Sequence, residues 1–282
     1  MDIISTIPEL RRARRALPGT VGLVPTMGYL HAGHLALIEQ AARENDQVIV
    51  SIFVNPTQFG PKDDYASYPR DLDHDLALLT KARVALLFAP TPAEMYPAGF
   101  QTAVEIGPVA QVLEGAQRPG HFRGVATVVS KLFNLVQPDS AYFGQKDAQQ
   151  AIVIRQLVRD LNFPLTIRVV PIQREADGLA LSSRNVYLSP AERAAAPILY
   201  CALQQAQSRF DTGERGADTL RQTVRALIAT EPLAALEYVS LADADSLAEI
   251  EYTLTAPALL SLVARFGRTR LIDNILLGDA AR

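Results

Sequence analysis

The 282-residue chain has one cysteine, no tryptophan and only four histidines. A lone Cys201 cannot form an internal disulfide, which fits a reducing compartment, and it rules out a thiolate metal cluster. Set in an Ala-rich stretch, Cys201 is read as a packed side chain. No apolar run approaches the roughly 18 residues of a membrane span, and no basic segment followed by an apolar one opens the chain. The expectation is a soluble cytoplasmic protein with no membrane partner. Excess positive charge is also missing: the formal net charge is -3, so the basic surface that nucleic-acid binding needs is not present. Two nucleotide signatures are absent as well. No Gly-x-Gly-x-x-Gly follows the first strand and no Gly-x4-Gly-Lys-Ser/Thr occurs, which argues against a dehydrogenase and against a P-loop enzyme.

What is present is a strong hydrophobic pattern, 49% of residues, enough for a sizeable core without staples. Arginines between Arg11 and Arg15 alternate with apolar residues and read as the exposed face of a first helix. Val21 to Pro25 reads as a strand, His34 to Glu44 as a helix, and Val48 to Val54 as a nearly unbroken β-branched strand covered on both faces. This strand-helix-strand unit implies a parallel sheet. The alternation continues with a helix at Asp71 to Lys81, a strand at Val84 to Phe88, a helix at Val125 to Val136 and a strand at Ala141 to Phe143. A helix at Ala148 to Leu161 and a strand at Leu165 to Ile172 complete a doubly wound α/β domain, Rossmann-like in layout.

Beyond Gln173 the texture changes. Arg-Glu-Ala-Asp-Gly reads as a polar, flexible connection, and an Ala-rich helical stretch follows from Pro190 to about Phe210. A helix near Ala217 to Ala229 precedes strands at Glu237 to Leu241, Leu259 to Phe266 and Arg270 to Leu276, which should pair antiparallel. The expected domains are therefore 1–173 and a smaller α+β domain, 174–282, closing over the active site.

Three constellations carry chemistry. At the first strand-helix junction stand Met27, Gly28, Tyr29, Leu30, His31, Ala32, Gly33 and His34. Glycines admit a ligand close to the backbone, and histidines three apart at a helix start project to one side. A helix N-terminus attracts phosphate, and imidazoles there can donate hydrogen bonds to phosphoryl oxygens. Leu181, Ser182, Ser183, Arg184 and Asn185 offer hydroxyls and a permanent charge that can close over a triphosphate. Phe143, Gly144, Gln145, Lys146 and Asp147 lie at a strand end, where open parallel sheets bind ligands. There Lys146 could neutralise phosphate and Asp147 bind ribose or cap the helix. Gln150 and Gln58 would face the same crevice with amides suited to hydroxyls. The acidic residues of Asp71-Leu72-Asp73-His74-Asp75 read as a solvated first turn favoured by the helix dipole. His121 reads as positional, and no residue is assigned as a metal ligand.

Taken in order, these stretches resemble the pantothenate synthetases (pantoate-beta-alanine ligases), a branch of the HIGH/KMSKS nucleotidyltransferase superfamily. The similarity is most specific over Val24 to His34, Ser51 to Phe59, Glu114 to Gln150 and Asp177 to Leu188. It implies that Met27 to His34 line the ATP site, with His34 as proton donor and His31 beside it on the phosphates. It further implies that Gln58 and Gln150 hold pantoate and that Gln58 also meets β-alanine. Gly144, Gln145, Lys146 and Asp147 would take adenine, ribose and phosphate, together with the backbone near Gln173 and Leu181, Ser182, Ser183 and Arg184. Asn55 and Arg123 are second-rank candidates for substrate. Ala32 stands where the family usually has an acidic residue, Gln173 where it is commonly apolar, and Gln145 where Glu is frequent.

The implied reaction is ATP-dependent condensation of pantoate with β-alanine through an acyl adenylate, with Mg²⁺ and charge stabilisation by His31, His34, Lys146 and Arg184, in a homodimer. Two other readings stay open on the residues alone. One is a nucleotidyltransferase that keeps the nucleotide on its product; the other is a non-catalytic nucleotide-binding protein.

Overall fold

A computed structural model describes residues 1–61 and 63–278. The elements in chain order are β1 (Asp2–Ile4), α1 (Ile7–Ala16), β2 (Val21–Thr26), α2 (Ala32–Glu44), β3 (Gln47–Ile52), α3 (Leu72–Lys81), β4 (Leu86–Phe88), α4 (Pro92–Met95), α5 (Glu114–Gln117), α6 (His121–Val136), β5 (Ser140–Gly144), α7 (Ala148–Asp160) and β6 (Thr166–Val170). They are followed by α8 (Pro190–Ala195), α9 (Ile198–Asp211), α10 (Ala217–Ile228), β7 (Ala234–Asp243), β8 (Ala258–Phe266) and β9 (Thr269–Leu277). The chain divides into two compact units, residues 1–145 with 149–171, and residues 146–148 with 172–282.

The first unit is a six-stranded sheet in the order β1-β4-β3-β2-β5-β6, parallel at every pairing. From β2 the chain order runs outward through β3 and β4 on one side and through β5 and β6 on the other. The topology therefore reverses between β2 and β5, and the crevice beyond their carboxyl ends is where such sheets bind ligands.

Strict alternation along each strand explains the unbroken apolar runs. Val21, Leu23, Ile49, Leu86, Phe88, Ala141 and Phe143 face a core with Leu10 of α1, Val125, Val129, Leu132 and Phe133 of α6, and Val153, Ile154 and Leu157 of α7. Their neighbours Val24, Val48, Val50, Leu87 and Tyr142 face the opposite core with Leu37, Ile38 and Ala41 of α2 and Leu79 of α3. With both faces covered, polarity has no position to occupy in the middle of a strand.

The second unit carries the antiparallel sheet β7-β8-β9. Leu199, Ala202, Leu203 and Ala206 of α9 and Leu220, Val224 and Ile228 of α10 pack on its Leu241, Leu260, Leu262 and Ala264. A doubly wound, Rossmann-like parallel sheet and a smaller α+β unit is the fold class the sequence implied.

Several details differ from expectation. The edge strand β1 lay below the length at which a pattern shows; it pairs with β4 from Asp2↔Leu86 to Ile4↔Phe88. The Ala-rich stretch is two helices, because Pro197 interrupts it between α8 and α9. Helix α6 begins at His121, one turn before the periodic Val125. Cys201 is exposed, not packed, since α9 turns Leu199, Ala202 and Leu203 inward. Arg14 does more than face solvent: its guanidinium donates to the Val136 and Gln137 carbonyls at 2.7 and 3.1 Å, capping the C-terminus of α6. The Arg-Glu-Ala-Asp-Gly segment is a hydrogen-bonded turn, with Leu181 N–H donating to Gln173 O at 2.9 Å and Glu175 N–H to Leu179 O at 2.8 Å.

Candidate active site

In the first unit the predicted residues gather at the carboxyl end of β2. The Thr26 hydroxyl, which ends the strand, donates to Ser51 O at 2.8 Å, and its oxygen accepts Gly28 N–H at 3.2 Å. The chain then turns through two left-handed residues, Gly28 at φ 80° and Tyr29 at φ 52°, and enters α2 with His31 as N-cap.

His31 Nδ1 accepts Gly33 N–H at 3.1 Å, and His34 Nδ1 accepts His31 N–H at 3.3 Å, a reciprocal capping box built from two imidazoles. The ring centroids are 4.1 Å apart. Because each Nδ1 is an acceptor, each neutral ring carries its proton on Nε2. Two imidazoles thus stand together at the positive end of a helix dipole, where an oxyanion or phosphoryl group is favoured.

A carboxylate the sequence placed on a solvated turn supports this loop. Asp71 is the N-cap of α3, accepting His74 N–H at 3.0 Å, as its position implied. Asp75, one turn on, is only 1% exposed. One of its oxygens accepts Tyr29 N–H at 2.9 Å and the other Leu30 N–H at 2.6 Å. Burial raises its pKa, with the two backbone hydrogen bonds opposing that rise. His74 reaches the same loop, its Nε2 lying 3.3 Å from Leu30 O.

Gln58 is 8% exposed at the end of the short 3-10 turn Pro56–Gln58. Its Nε2 donates to Met27 Sδ at 3.3 Å, joining two predicted residues, and its Oε1 accepts Asn55 Nδ2 at 3.0 Å. Asn55, 1% exposed, also donates to Gly124 O at 3.2 Å and accepts the Tyr96 hydroxyl at 2.8 Å. Its amide is thereby committed to holding Gln58.

The backbone of Gln58 is gripped as well. Arg118 Nη1 approaches His121 Nε2 at 3.3 Å, which makes Nε2 the acceptor and leaves Nδ1–H to donate to Gln58 O at 2.8 Å. Asp63 pairs with Arg118 at 2.7 Å. Its pKa stays below the ordinary value despite burial, because the Arg118 and Gly60 hydrogen bonds outweigh the loss of water. Helix α6 comes so close to this turn that a Cβ on Gly124 would stand 2.4 Å from Thr57 O and 2.6 Å from Gln58 Cα. Gln150 is half-buried on α7. Arg123 is largely solvated and pairs with Glu105 at 3.3 Å. Gly144 closes β5 at the same sheet end, and Gln145 follows it.

In the second unit Lys146 pairs with Asp147 at 3.2 Å, and its carbonyl accepts Asn274 Nδ2 from β9 at 2.9 Å. The adjacent Asp273 binds Arg174 through two bonds of 2.6 and 2.9 Å, and the Arg174 guanidinium lies 3.7 Å over the Tyr200 ring. This anchors the turn that brings Gln173 and Leu181 together. Ser182 then caps a 3-10 turn, its Oγ accepting Arg184 N–H at 3.3 Å, with Ser183 buried beneath it. Asn185 Nδ2 ties that turn back to Ala180 O at 3.1 Å.

Comparison with known proteins decides the family. A family model described as Pantoate-beta-alanine ligase matches residues 2–276. The chain belongs to the pantoate-beta-alanine ligase family. It is an enzyme of that class, 61% identical over 277 residues to the pantothenate synthetase of Roseiflexus castenholzii, covering 98% of this chain and 99% of that protein. Among solved structures, a pantothenate synthetase of Thermus thermophilus superposes with a TM-score of 0.93 at 51% identity, covering 98% of this chain and 99% of that one. The pantoate-beta-alanine ligase of Francisella tularensis, solved in complex with beta-gamma ATP and beta-alanine, gives a TM-score of 0.81 at 38% identity, with 98% and 97% covered. Every sequence-predicted residue therefore lies in a chain whose whole length follows the ligase fold. Tyr96, Arg118, Gly124 and Asn274 are supporting residues to which sequence reasoning gave no role, and Asp75 is one that it read as solvated.

Proposed function

We propose that this ligase joins pantoate to β-alanine using ATP through a pantoyl adenylate, releasing AMP and pyrophosphate, as a cytoplasmic homodimer. The observation that carries the reading is the His31–His34 pair, whose Nδ1 atoms accept backbone N–H groups at the start of α2. Family membership supplies the substrates, and the ATP and β-alanine complex of the Francisella relative supports them.

A carboxylate does not condense with an amine in water, because its departing oxygen is too basic. In the first step a pantoate carboxylate oxygen bonds to the α-phosphorus of ATP and the bond to pyrophosphate breaks. His31 and His34 donate to the phosphoryl oxygens as charge moves outward, with His34 as proton donor, while Lys146 and Arg184 bring positive charge. The residues assigned to the nucleotide are Met27 to His34, Gly144 to Asp147, Gln173 and Leu181 to Arg184. Gln58 and Gln150 hold pantoate through amides matched to hydroxyls, with Asn55 orienting Gln58 and Arg123 at the periphery. In the second step the β-alanine amine bonds to the acyl carbon, loses a proton, and AMP departs with the oxygen that came from pantoate.

Among the described residues no group of three or more His, Cys, Asp or Glu side chains is placed to hold a metal ion. Mg²⁺ would come as a companion of ATP, held chiefly by phosphate oxygens and water. When bound it would neutralise phosphate charge.

The test is pyrophosphate–ATP isotope exchange by the purified enzyme. Exchange that requires pantoate and proceeds without β-alanine is expected. No exchange, or a stable nucleotidylated product, would overturn the reading.

A further inference from the structure

Between Met27 and His34 the chain passes through two left-handed residues, and the second of them, Tyr29, bears a side chain. Tyr29 sits at φ 52°, a region that costs a non-glycine residue roughly 1–2 kcal/mol. Gly28 precedes it at φ 80°, and a Cβ there would stand 3.0 Å from both Asp75 Oδ2 and Ile52 Cγ2. The successive Tyr29 and Leu30 amides consequently point the same way and form a small concavity of the kind that binds anions. In this protein the anion is internal. The Asp75 carboxylate fills the concavity, giving one oxygen to each amide at 2.9 and 2.6 Å.

This arrangement has two consequences. Charge-assisted bonds of this sort are about twice as strong as neutral ones, which offsets the backbone strain and leaves the loop one conformation. It also takes these two amides away from any nucleotide phosphate, so phosphate is left to the imidazoles and the start of α2. The residue after Leu30 is His31, whose own N–H holds His34 Nδ1. A shift of the Tyr29–Leu30 backbone therefore passes directly to both rings.

From this chain of contacts we infer that Asp75 is a positioning residue for the adenylation step: its carboxylate fixes the Tyr29–Leu30 backbone and thereby aims the His31 and His34 imidazoles. The inference rests on the adenylation reading above and adds the element that makes the histidine pair rigid. His74 supports the same loop from the same turn of α3, at 3.3 Å from Leu30 O, so α3 grips both consecutive amides and the carbonyl between Leu30 and His31. Burial of the carboxylate, at 1% exposure, is what a structural anchor shows and a solvated first-turn acid does not.

The isosteric variant Asp75→Asn isolates the effect. A carboxamide keeps the shape but offers one oxygen and one NH₂, so one backbone N–H would face a donor. Misplacing a catalytic group by about 1 Å costs on the order of 10²-fold in rate. The expected result is a fall of about 10- to 10²-fold in kcat for pantoate-dependent pyrophosphate–ATP exchange, measured well below the variant's Tm, with pantoate Kd within about twofold of wild type. A variant that loses thermal stability yet exchanges within about twofold of wild type while folded would overturn the inference, since a merely structural carboxylate predicts that pattern. If Asp75→Asn does not fold, hydrogen exchange of the wild-type Tyr29 and Leu30 amides decides. Protection equal to that of amides within α2 is expected, and exchange at the rate of an open loop would overturn the assignment. A wild-type enzyme without pantoate-dependent exchange would instead strike the adenylation reading, and amide protection would still test whether Asp75 holds the loop.

Discussion

The two ends of the parallel sheet differ in what their polar side chains hold. At the amino end, exposed carboxylates tie the strand starts and one buried phenol is held by its side-chain neighbours. Asp46 accepts Thr20 N–H at 2.8 Å, Asp139 accepts Val21 N–H at 2.7 Å, and the buried Tyr142 hydroxyl lies between Asn45 Nδ2 at 2.7 Å and Glu44 at 2.8 Å. At the carboxyl end, buried or half-buried polar groups hold loop backbone: Asp75 that of Tyr29 and Leu30, His121 that of Gln58, Asn55 that of Gly124. The first end closes a network that stabilises the fold. The second holds in place the loops that carry the proposed substrate contacts. Tyr142 at one end is as buried as Asp75 at the other, so burial alone does not separate structural from functional roles; what the held segment carries does.

Substitutions should break this comparison cleanly. The largest effect is expected at the donors themselves: His34→Ala and Lys146→Ala should each lose at least about 10²-fold in kcat, roughly 3 to 4 kcal/mol of transition-state stabilisation, while melting close to wild type. Steady-state kinetics beside thermal unfolding check this, and near-normal turnover in either variant would remove its assigned role. Next comes Gly124→Ala. Its Cβ would meet backbone atoms of Thr57 and Gln58 that cannot swing aside, so a loss of about 1–3 kcal/mol is expected. The displaced Gln58 should raise KM for pantoate more than KM for ATP, and equal changes in both would count against Gln58 as the pantoate contact.

At the amino end the pattern reverses. Asn45→Ala removes the bond to the Tyr142 hydroxyl and a second bond to Ala41 O at 3.0 Å. About 1–2 kcal/mol should be lost in urea unfolding with kcat unchanged.

The smallest and most specific effect is one of pH. Burial, with the Glu44 hydrogen bond and charge adding to it, pushes the Tyr142 phenol from its ordinary 10.0 up to about 12. Between those values the folded protein keeps a proton that the unfolded chain has released, so stability is fully present below pH 10 and falls as pH rises toward 12. Urea midpoints should decline across that window in wild type and less steeply in Tyr142→Phe.

The same contrast explains what was legible in the sequence. The alternating strands and helices could be read because each central strand is apolar on both faces, a pattern that few other structures produce. His31 and His34 stood out because two of four histidines fall within one glycine-containing octet after a strand. Asp75 did not. A carboxylate in the acidic first turn of a helix has the same local signature whether it meets solvent or two backbone amides, and only the packing of α3 against the β2 loop distinguishes them. Gly124 was hidden for a related reason: a glycine in a helix pattern signals close approach without naming the neighbour. Asn274 lies more than a hundred residues from the Lys146 carbonyl it holds, beyond any local pattern.

The most direct test of the account uses pantoate labelled with ¹⁸O in its carboxylate, in the complete reaction with ATP and β-alanine. Attack of that carboxylate on the α-phosphorus predicts that one ¹⁸O atom appears in the AMP released, as read by mass spectrometry. Label found in inorganic phosphate, or AMP formed without label, would contradict adenylate chemistry at the carboxyl end of this sheet.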